Sequence, residues 1–291
     1  MHDSLLSILL GIIEGLTEFL PVSSTAHLRI AEALLGIDLG NGFWKMYSIV
    51  IQLGAILCLP IYFRTRIARF FSTFPRGERG DRTAANHPLT LVIIAFVFTA
   101  IPALLLTKVI GKHLESLVVM GWSLLIGGII MWVVDAMFGT PRRGGRFQTE
   151  RMEETTTPQA IWIGICQIAS AVFPGTSRSM STIAAGQLVG MSRPAALEFS
   201  FFLSMPTMAA ATLYDLFRTF HPKHGAEPLG RMPANGLEWG VLIIGFVISF
   251  VVALGVVAWF MNWVRQRGFV PFAIYRIVVG IAVLAWVMRI G

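Results

Sequence analysis

Long apolar runs without charged residues recur along the chain and alternate with short, arginine-rich polar segments. A helix needs about 20 predominantly apolar residues to cross the roughly 30 Å hydrocarbon core of a bilayer. Six runs approach or meet this length, the last of them interrupted only by Arg276, so they are predicted to be transmembrane helices. The predicted spans cover residues 44–63, 89–108, 116–138, 197–217, 238–264 and 270–290.

Two further apolar stretches, 4–36 and 158–190, carry polar residues and helix breakers near their centres. The first contains Pro-Val-Ser-Ser-Thr from Pro21, and the second contains Pro-Gly-Thr-Ser-Arg-Ser from Pro174. Irregular backbone at membrane depth is tolerated only where protein or a water-filled cavity surrounds it. Each stretch is therefore predicted to be a re-entrant pair of short helices joined by a turn.

The two broken stretches resemble each other at an offset of 153 residues, which pairs Pro21 with Pro174 and Ser24 with Ser177. Each would begin a repeat that continues with three spans, and an odd number of spans turns the second repeat upside down. The pattern thus predicts an inverted repeat, with its site where the broken elements meet. The repeats cover 1–138 and 158–291, and a cytoplasmic loop, 139–157, joins them.

Composition supports a membrane protein. The 291 residues are 55% hydrophobic and 13% charged, whereas a soluble domain carries about 25% charged residues. A cytosolic enzyme, a disordered regulator and a soluble nucleic-acid binder are excluded, because too little polar surface is available to cover a core of this size. The predicted fold class is an all-α polytopic membrane protein with six transmembrane helices and two re-entrant helix pairs.

The net charge of +7 is interpreted through the loops, because cytoplasmic loops of membrane proteins are enriched in Lys and Arg. Loops 64–88 and 139–157 are the most basic, the latter including Arg142 and Arg143, so both are predicted to be cytoplasmic. Counting spans from there places both termini and loop 218–237 outside. That loop agrees least with the rule, since it contains Arg218, Lys223 and Arg231.

Candidate chemistry starts with Glu14 and Glu18, whose spacing puts both carboxylates on one helix face. Two such charges repel each other in apolar surroundings, so a shared proton, a nearby arginine or a divalent cation must offset the repulsion. Acids within a membrane mark functional sites by default. The alternative is that one or both carboxylates lie in water at the membrane interface.

The two predicted turns supply further polar groups. A helix that resumes after Ser23 would combine its N-terminus with hydroxyls into an anion site, and His27 would lie one turn beyond Ser24 as a candidate base. Plain helix capping and an interior histidine are the structural alternatives. Arg178 needs an anion inside the membrane, either Glu14 or Glu18 or a substrate phosphate. Glu198, Arg276 and Gln52 are first interpreted as structural.

Carboxylates beside phosphate-binding donors are the parts that phosphoryl transfer needs, and the membrane setting points to a lipid-linked phosphate. A secondary transporter or a lipid-phosphate flippase has the same inverted repeats, broken helices and intramembrane carboxylates. The residues alone leave these classes close to even.

Two long motifs and three short ones resemble the bacterial undecaprenyl-diphosphatase (bacitracin-resistance) family over nearly the whole chain. The long motifs are the segments Gly11–His27 and Pro174–Ser179, and the short ones are Gln52–Ile56, Glu198–Ser200 and Tyr275–Arg276. The resemblance implies a multi-pass inner-membrane enzyme that hydrolyses undecaprenyl diphosphate to the monophosphate and phosphate. It further implies a site open to the periplasm, recycling of the lipid carrier for cell-wall synthesis, and bacitracin resistance.

The resemblance also implies roles for individual residues and a divalent cation, Mg²⁺ or Ca²⁺. Glu14 and Glu18 would bind the metal or act in acid–base chemistry, and Ser24 would be the nucleophile with His27 as its base or proton carrier. Arg178 would hold the diphosphate. The residues expected to line the substrate site beside it are Ser23, Thr25, Thr176 and Ser177.

Two points stay open at this stage. Ser24 could attack the distal phosphorus, or a cation-bound water could attack while Ser24 only donates a hydrogen bond. The expected partners are undecaprenyl diphosphate and membrane lipids, without nucleic acid. The sequence does not give the oligomeric state, so an oligomer stays open.

Overall fold

A computed structural model describes residues 2–38, 42–106, 116–141, 145–221 and 230–290. Within these ranges the chain forms eleven α-helices and one 3₁₀ turn, with a single isolated β-bridge between Thr149 and Met191. The helices are α1 (His2–Thr17), α2 (Ser24–Leu34), α3 (Gly42–Tyr62), α4 (Arg64–Thr73), α5 (Pro88–Leu105), α6 (Leu117–Phe138), α7 (Thr157–Val172), α8 (Arg178–Leu188), α9 (Arg193–Phe220), α10 (Gly236–Arg267) and α11 (Val270–Ile290).

Six of these helices, α3, α5, α6, α9, α10 and α11, are long and apolar enough to cross a membrane. The all-helical, multi-pass prediction is therefore confirmed, together with the number of spans. Helices α9 and α10 extend beyond their predicted bounds, to 28 and 32 residues. Residues 107–108 of the second predicted span, and Arg142, Arg143 and Lys223 of the loops, lie outside the described ranges. The inverted orientation of the two halves stays a prediction.

Each broken stretch forms two helices around a short turn, α1 and α2 around residues 18–23 and α7 and α8 around residues 173–177. These are called the first and second turn below. Ser23 and Ser177 cap the helices that follow, and their side chains accept hydrogen bonds from the amides of Ala26 and Met180. Both serines have positive φ, 74° and 71°. The cap geometry thus matches Ser23 with Ser177, which corrects the predicted pairing of Ser24 with Ser177 by one residue.

The first helix of each broken stretch packs closely on a span from the other half of the chain: α1 packs on α10, and α7 packs on α5. Small residues allow the approach: a Cβ added at Gly15 would lie 2.7 Å from the Ser249 carbonyl oxygen, and one at Gly164 would meet the Ala95 carbonyl. Close backbone contact through glycine is the usual means of helix association in a membrane. Both turns are thereby fixed to spans distant in sequence.

A buried polar network lies at the far end of α8 from the second turn. The Asp135 carboxylate accepts hydrogen bonds from Arg193 Nε at 2.7 Å, from Gln187 Nε2 at 2.9 Å and from the Phe269 amide at 2.9 Å. Gln187 lies nine positions after Arg178 along the helix, which corresponds to about 14 Å. The network therefore stabilises helix ends without contacting the turns.

Helix α4 was not predicted, because its arginines mark the segment 64–88 as a loop. Its apolar side chain Phe70 is nonetheless buried. Arg66 joins α4 to the rest of the protein through ion pairs with Glu153 at 2.6 Å and Glu198 at 2.8 Å. Glu198 thus has the structural partner that its sequence context indicated.

Candidate active site

The first and second turns face each other across a cavity of about 200 Å³. The first turn and the start of α2 contribute four side chains to its wall, and the second turn and the start of α8 contribute four residues. The lining residues from these two elements are Glu18, Ser23, Ser24, Thr25, Pro174, Gly175, Ser177 and Arg178. The structure thus brings most of the residues predicted from the sequence into one place.

Glu18 connects the two turns through its carboxylate. Its Oε2 accepts a hydrogen bond from Ser24 Oγ at 2.5 Å, and its Oε1 accepts one from Arg178 Nη2 at 3.3 Å. Glu18 and Ser24 are both buried. A carboxylate that accepts a hydrogen bond from a serine hydroxyl at this distance has the geometry that a general base needs towards a nucleophile.

Arg178 has donors to spare. Besides the bond to Glu18, its Nε and Nη1 are buried, and among the described residues neither atom has a hydrogen-bond partner. Buried donors are rarely left unpaired in proteins, and a guanidinium suits bidentate contact with phosphate oxygens. Arg178 is therefore arranged to hold an anion in the cavity in addition to pairing with Glu18.

Both short helices present their N-termini to the same cavity. The capping residues Ser23 and Ser177 line it, as do Ser24, Thr25 and Arg178 at the first positions of α2 and α8. The first amides of a helix have no intrahelical acceptor, and the helix dipole adds partial positive charge at that end. Two such ends beside an arginine form a binding site suited to a phosphate group.

Glu14 lies one helical turn before Glu18 and is almost fully buried. Among the described residues, its Oε1 has no hydrogen-bond partner. It lines a second cavity of about 290 Å³, which shares Ser24, Thr25 and Gln52 with the first. An unpaired buried carboxylate oxygen requires a proton or a cation.

The residues fit a divalent cation in part. Within the described ranges no three His, Cys, Asp or Glu side chains are close enough to form a metal site by themselves. Mg²⁺, however, is commonly held by one or two carboxylates together with substrate phosphates and water. The unpaired Glu14 oxygen and the adjacent Glu18 carboxylate supply that kind of donor set.

His27 does not contact the Ser24 hydroxyl, although its helical position allowed that prediction. Its Nδ1 is 2.7 Å from the Ser23 carbonyl oxygen, and its Nε2 is 2.8 Å from the Tyr275 hydroxyl. These contacts place the imidazole against α11, whose Tyr275 it binds. The structure therefore supports Glu18, and not His27, as the base next to Ser24.

Two other predictions on the turns have different outcomes. Thr25 is exposed and lines both polar cavities, which agrees with a role at the substrate. Thr176 belongs to the second turn, but its side chain does not contribute to the described wall of the cavity. Gln52 of α3 and Thr207 of α9 do line it, and only their polarity within apolar spans could have indicated this.

An apolar groove of about 460 Å³ adjoins the cavity between α5, α7 and α9. The cavity and the groove share five residues, and Arg178 stands at their boundary. The shared residues are Ser170, Ala171, Arg178, Thr207 and Ala211. Small residues such as Ala103 and Ala210 form much of the remaining wall. The arrangement suits a molecule with a charged head and a hydrocarbon tail.

Comparison with known proteins identifies the family of the chain. The family model described as "Bacitracin resistance protein BacA" matches residues 7–282. A protein named undecaprenyl-diphosphatase from Koribacter versatilis (strain Ellin345) is 67% identical over 290 residues, which cover 99% of this chain and 100% of that protein. A second protein of that name, from Caldanaerobacter subterraneus subsp. tengcongensis, is 40% identical over 95% of this chain and 93% of its own length.

Proposed function

The chain belongs to the family of the bacitracin resistance protein BacA, and on that premise we propose that it is an integral membrane undecaprenyl-diphosphatase. It hydrolyses undecaprenyl diphosphate to undecaprenyl phosphate and phosphate, and so recycles the lipid carrier of cell-wall synthesis. Abundant enzyme confers bacitracin resistance. The names of the relatives support this function over the transporter or flippase that the residues alone left open.

The observation that carries the proposal is the chain of contacts from Ser24 through Glu18 to Arg178. It joins a nucleophile and a base to an anion-binding arginine from a distant part of the sequence. A transporter site needs the arginine and the carboxylate, but it does not need a hydroxyl that is hydrogen-bonded to a buried base. The contact between Ser24 and Glu18 therefore favours covalent chemistry.

In the proposed reaction, Ser24 Oγ attacks the distal phosphorus while Glu18 accepts its proton. The bond between that phosphorus and the bridging oxygen breaks, and undecaprenyl phosphate leaves with the proton that Glu18 returns. A water molecule then attacks the phosphorus of the phosphoserine, while Glu18 takes a proton from that water. The bond from phosphorus to Oγ breaks, Oγ receives that proton, and inorganic phosphate is released.

The remaining groups stabilise charge during this reaction. The two free donors of Arg178 and the N-terminal amides of α2 and α8 bind phosphate oxygens, where negative charge is concentrated. Glu14 and Glu18 would hold the divalent cation, Mg²⁺ or Ca²⁺. When bound, such an ion neutralises part of the diphosphate charge and polarises its oxygens.

The lipid part of the substrate is assigned to the apolar groove between α5, α7 and α9. Its boundary at Arg178 keeps the diphosphate in the polar cavity while the first isoprene units lie among small apolar residues. We place the protein in the bacterial inner membrane with this site and both termini on the periplasmic side, as the distribution of arginines in the loops suggests.

Phosphate release from undecaprenyl diphosphate by the purified protein in detergent tests the function. We expect cation-dependent release that a chelator abolishes, and a loss of at least about 10²-fold in kcat in Glu18→Gln, since a general base contributes about 10²–10⁴-fold. Arg178→Ala should be similarly impaired. No release from folded wild type, across several cations and lipids, would refute the phosphatase and favour the transporter.

A second experiment tests the covalent step. Acid quenching during turnover of substrate labelled in its distal phosphate should trap label on Ser24, and Ser24→Ala should trap none. If the folded Ser24→Ala protein keeps most of its kcat, a cation-bound water is the nucleophile and Ser24 only donates a hydrogen bond.

A further inference from the structure

Arg276 is the largest fully buried side chain of the described structure. It lies in α11, and its guanidinium donates to three backbone carbonyl oxygens, each at 3.1 Å. Nη1 donates to Pro21, whereas Nη2 donates to both Gly175 and Ser123. Among the described residues no carboxylate pairs with it within 4 Å, so these carbonyl dipoles offset the cost of burying its charge.

Two of the three acceptors occupy matching positions in the two turns. Pro21 lies two residues before the capping residue Ser23, and Gly175 lies two residues before the capping residue Ser177. Since the guanidinium is planar and rigid, it fixes the spacing between two equivalent points of the backbone. The third acceptor, Ser123, ties this pair to α6.

The geometry points to Arg276 as a positioning residue that holds the two capped helix ends at the separation the reaction requires. This inference rests on the proposed function, because that separation sets the distance between Ser24 and Glu18 on one side and Arg178 on the other. Both capping serines have positive φ, a strained conformation that persists only where its surroundings enforce it. Arg276 supplies part of that enforcement on both sides at once.

A lysine cannot replace this arginine, because an ammonium is a point charge and cannot direct two rigid donors at two separate turns. In Arg276→Lys we expect kcat for phosphate release to fall about 100-fold, the cost that a misplacement of about 1 Å can produce. KM should change by less than about threefold, since the groove for the lipid tail is untouched.

A readout independent of activity separates positioning from general stability. Hydrogen–deuterium exchange in Arg276→Lys should speed up at the amides of both turns, and should stay unchanged near Gln187 and Phe269. The matched control is Arg193→Lys, which alters a partly buried arginine with bonds to a carboxylate and a carbonyl. It should speed exchange near Gln187 and keep kcat within about twofold of wild type.

Gly127→Ala is a second variant for the case in which Arg276→Lys does not fold. The added Cβ would meet Arg276 Nη2 and lie 2.8 Å from Met180 Cε. The variant therefore moves the guanidinium without removing its positive charge. We expect the same pattern, lower kcat with faster exchange at both turns.

Three results would overturn the inference: a folded Arg276→Lys with wild-type kcat, a loss of kcat without faster exchange at both turns, or an equal loss in Arg193→Lys. Failure of the proposed function is distinguishable from these. In that case the wild type itself releases no phosphate, and the exchange pattern still decides whether Arg276 holds the turns together.

Discussion

At the residue scale, Glu18 has two different partners for its two carboxylate oxygens. One oxygen takes the Ser24 hydroxyl, and the other takes the Arg178 guanidinium. Because buried charges are normally paired, the arginine partly offsets the cost of burying this carboxylate. Glu14 has no arginine partner among the described residues, so a proton or a cation has to offset the burial of its unpaired oxygen.

The position of His27 leads to a first prediction. Its ring nitrogens bind the Ser23 carbonyl and the Tyr275 hydroxyl, and each such bond contributes about 0.5–1.5 kcal/mol. His27→Gln retains part of this hydrogen bonding, so kcat for phosphate release should fall only about tenfold. In Tyr275→Phe, which removes one of the two hydrogen bonds, kcat should fall by less than tenfold.

The comparison variant for this prediction is Glu18→Gln, measured under the same conditions. If His27→Gln is as inactive as Glu18→Gln while both proteins are folded, His27 takes the proton of Ser24 during turnover. The hydrogen bonds of the present structure would then describe a resting arrangement only.

At the element scale, the glycines of α1 and α7 decide how closely the broken stretches approach the spans. Gly15 faces the backbone of α10, and a Cβ there would lie 2.7 Å from both the Ser249 carbonyl oxygen and Val252 Cβ. The sequence offset paired Gly11 with Gly164, and both prove to be points of close helix contact. The resemblance between the two broken stretches therefore extends from the turns to these packing positions.

Gly15→Ala should lower the thermal midpoint of the detergent-solubilised protein by several degrees, because overpacking of a close contact costs about 1–3 kcal/mol. Gly240→Ala in α10 is the matched control, since nothing lies within 4 Å of a Cβ added there. The control should be neutral or slightly stabilising, because alanine is the better helix former. Equal effects in the two variants would contradict the packing argument.

At the scale of the whole molecule, the orientation in the membrane is open to a direct test. Cys58 and Cys166 are first replaced by alanine, which leaves a chain without cysteine. In that chain Met232→Cys, in the predicted external loop 218–237, should react with an impermeant maleimide in spheroplasts. Arg79→Cys, in the predicted cytoplasmic segment 64–88, should react only after the membrane is permeabilised. The reverse labelling pattern would put the active site on the cytoplasmic side.

The apolar groove gives another prediction at this scale. Ala103→Trp fills the groove from α5 without contacting the polar cavity, so KM for undecaprenyl diphosphate should rise at least about fivefold with little change in kcat. Such a split is expected when binding is lost equally in the ground state and the transition state. Ile129→Trp, on an exposed face of α6, serves as control, and an unchanged KM in Ala103→Trp would place the lipid tail elsewhere.

The spans and the positions of the two turns could be predicted from the sequence, because both depend on local properties. These are the length of the apolar runs and the presence of proline and hydroxyl residues. It did not predict which hydroxyl Glu18 would bind, because Ser23 and Ser24 are adjacent and only the cap geometry distinguishes them. The contact of Tyr275 with His27 joins residues 248 positions apart in the chain, and so does not follow from local patterns. The contacts of Arg276 do not follow from the sequence either, because its three acceptors are backbone carbonyls that leave no trace in it.

The wall that the polar cavity shares with the apolar groove has a consequence for inhibitor chemistry. A small oxyanion such as vanadate can occupy only the cavity, and a simple detergent can occupy only the groove. A non-hydrolysable bisphosphonate carrying one or two isoprene units would occupy the cavity and the groove together. Because its head and tail are covalently linked, binding of the tail in the groove becomes effectively intramolecular once the head is bound. Potency in such a series should therefore grow with the first few carbons of the tail and level off once the groove is full.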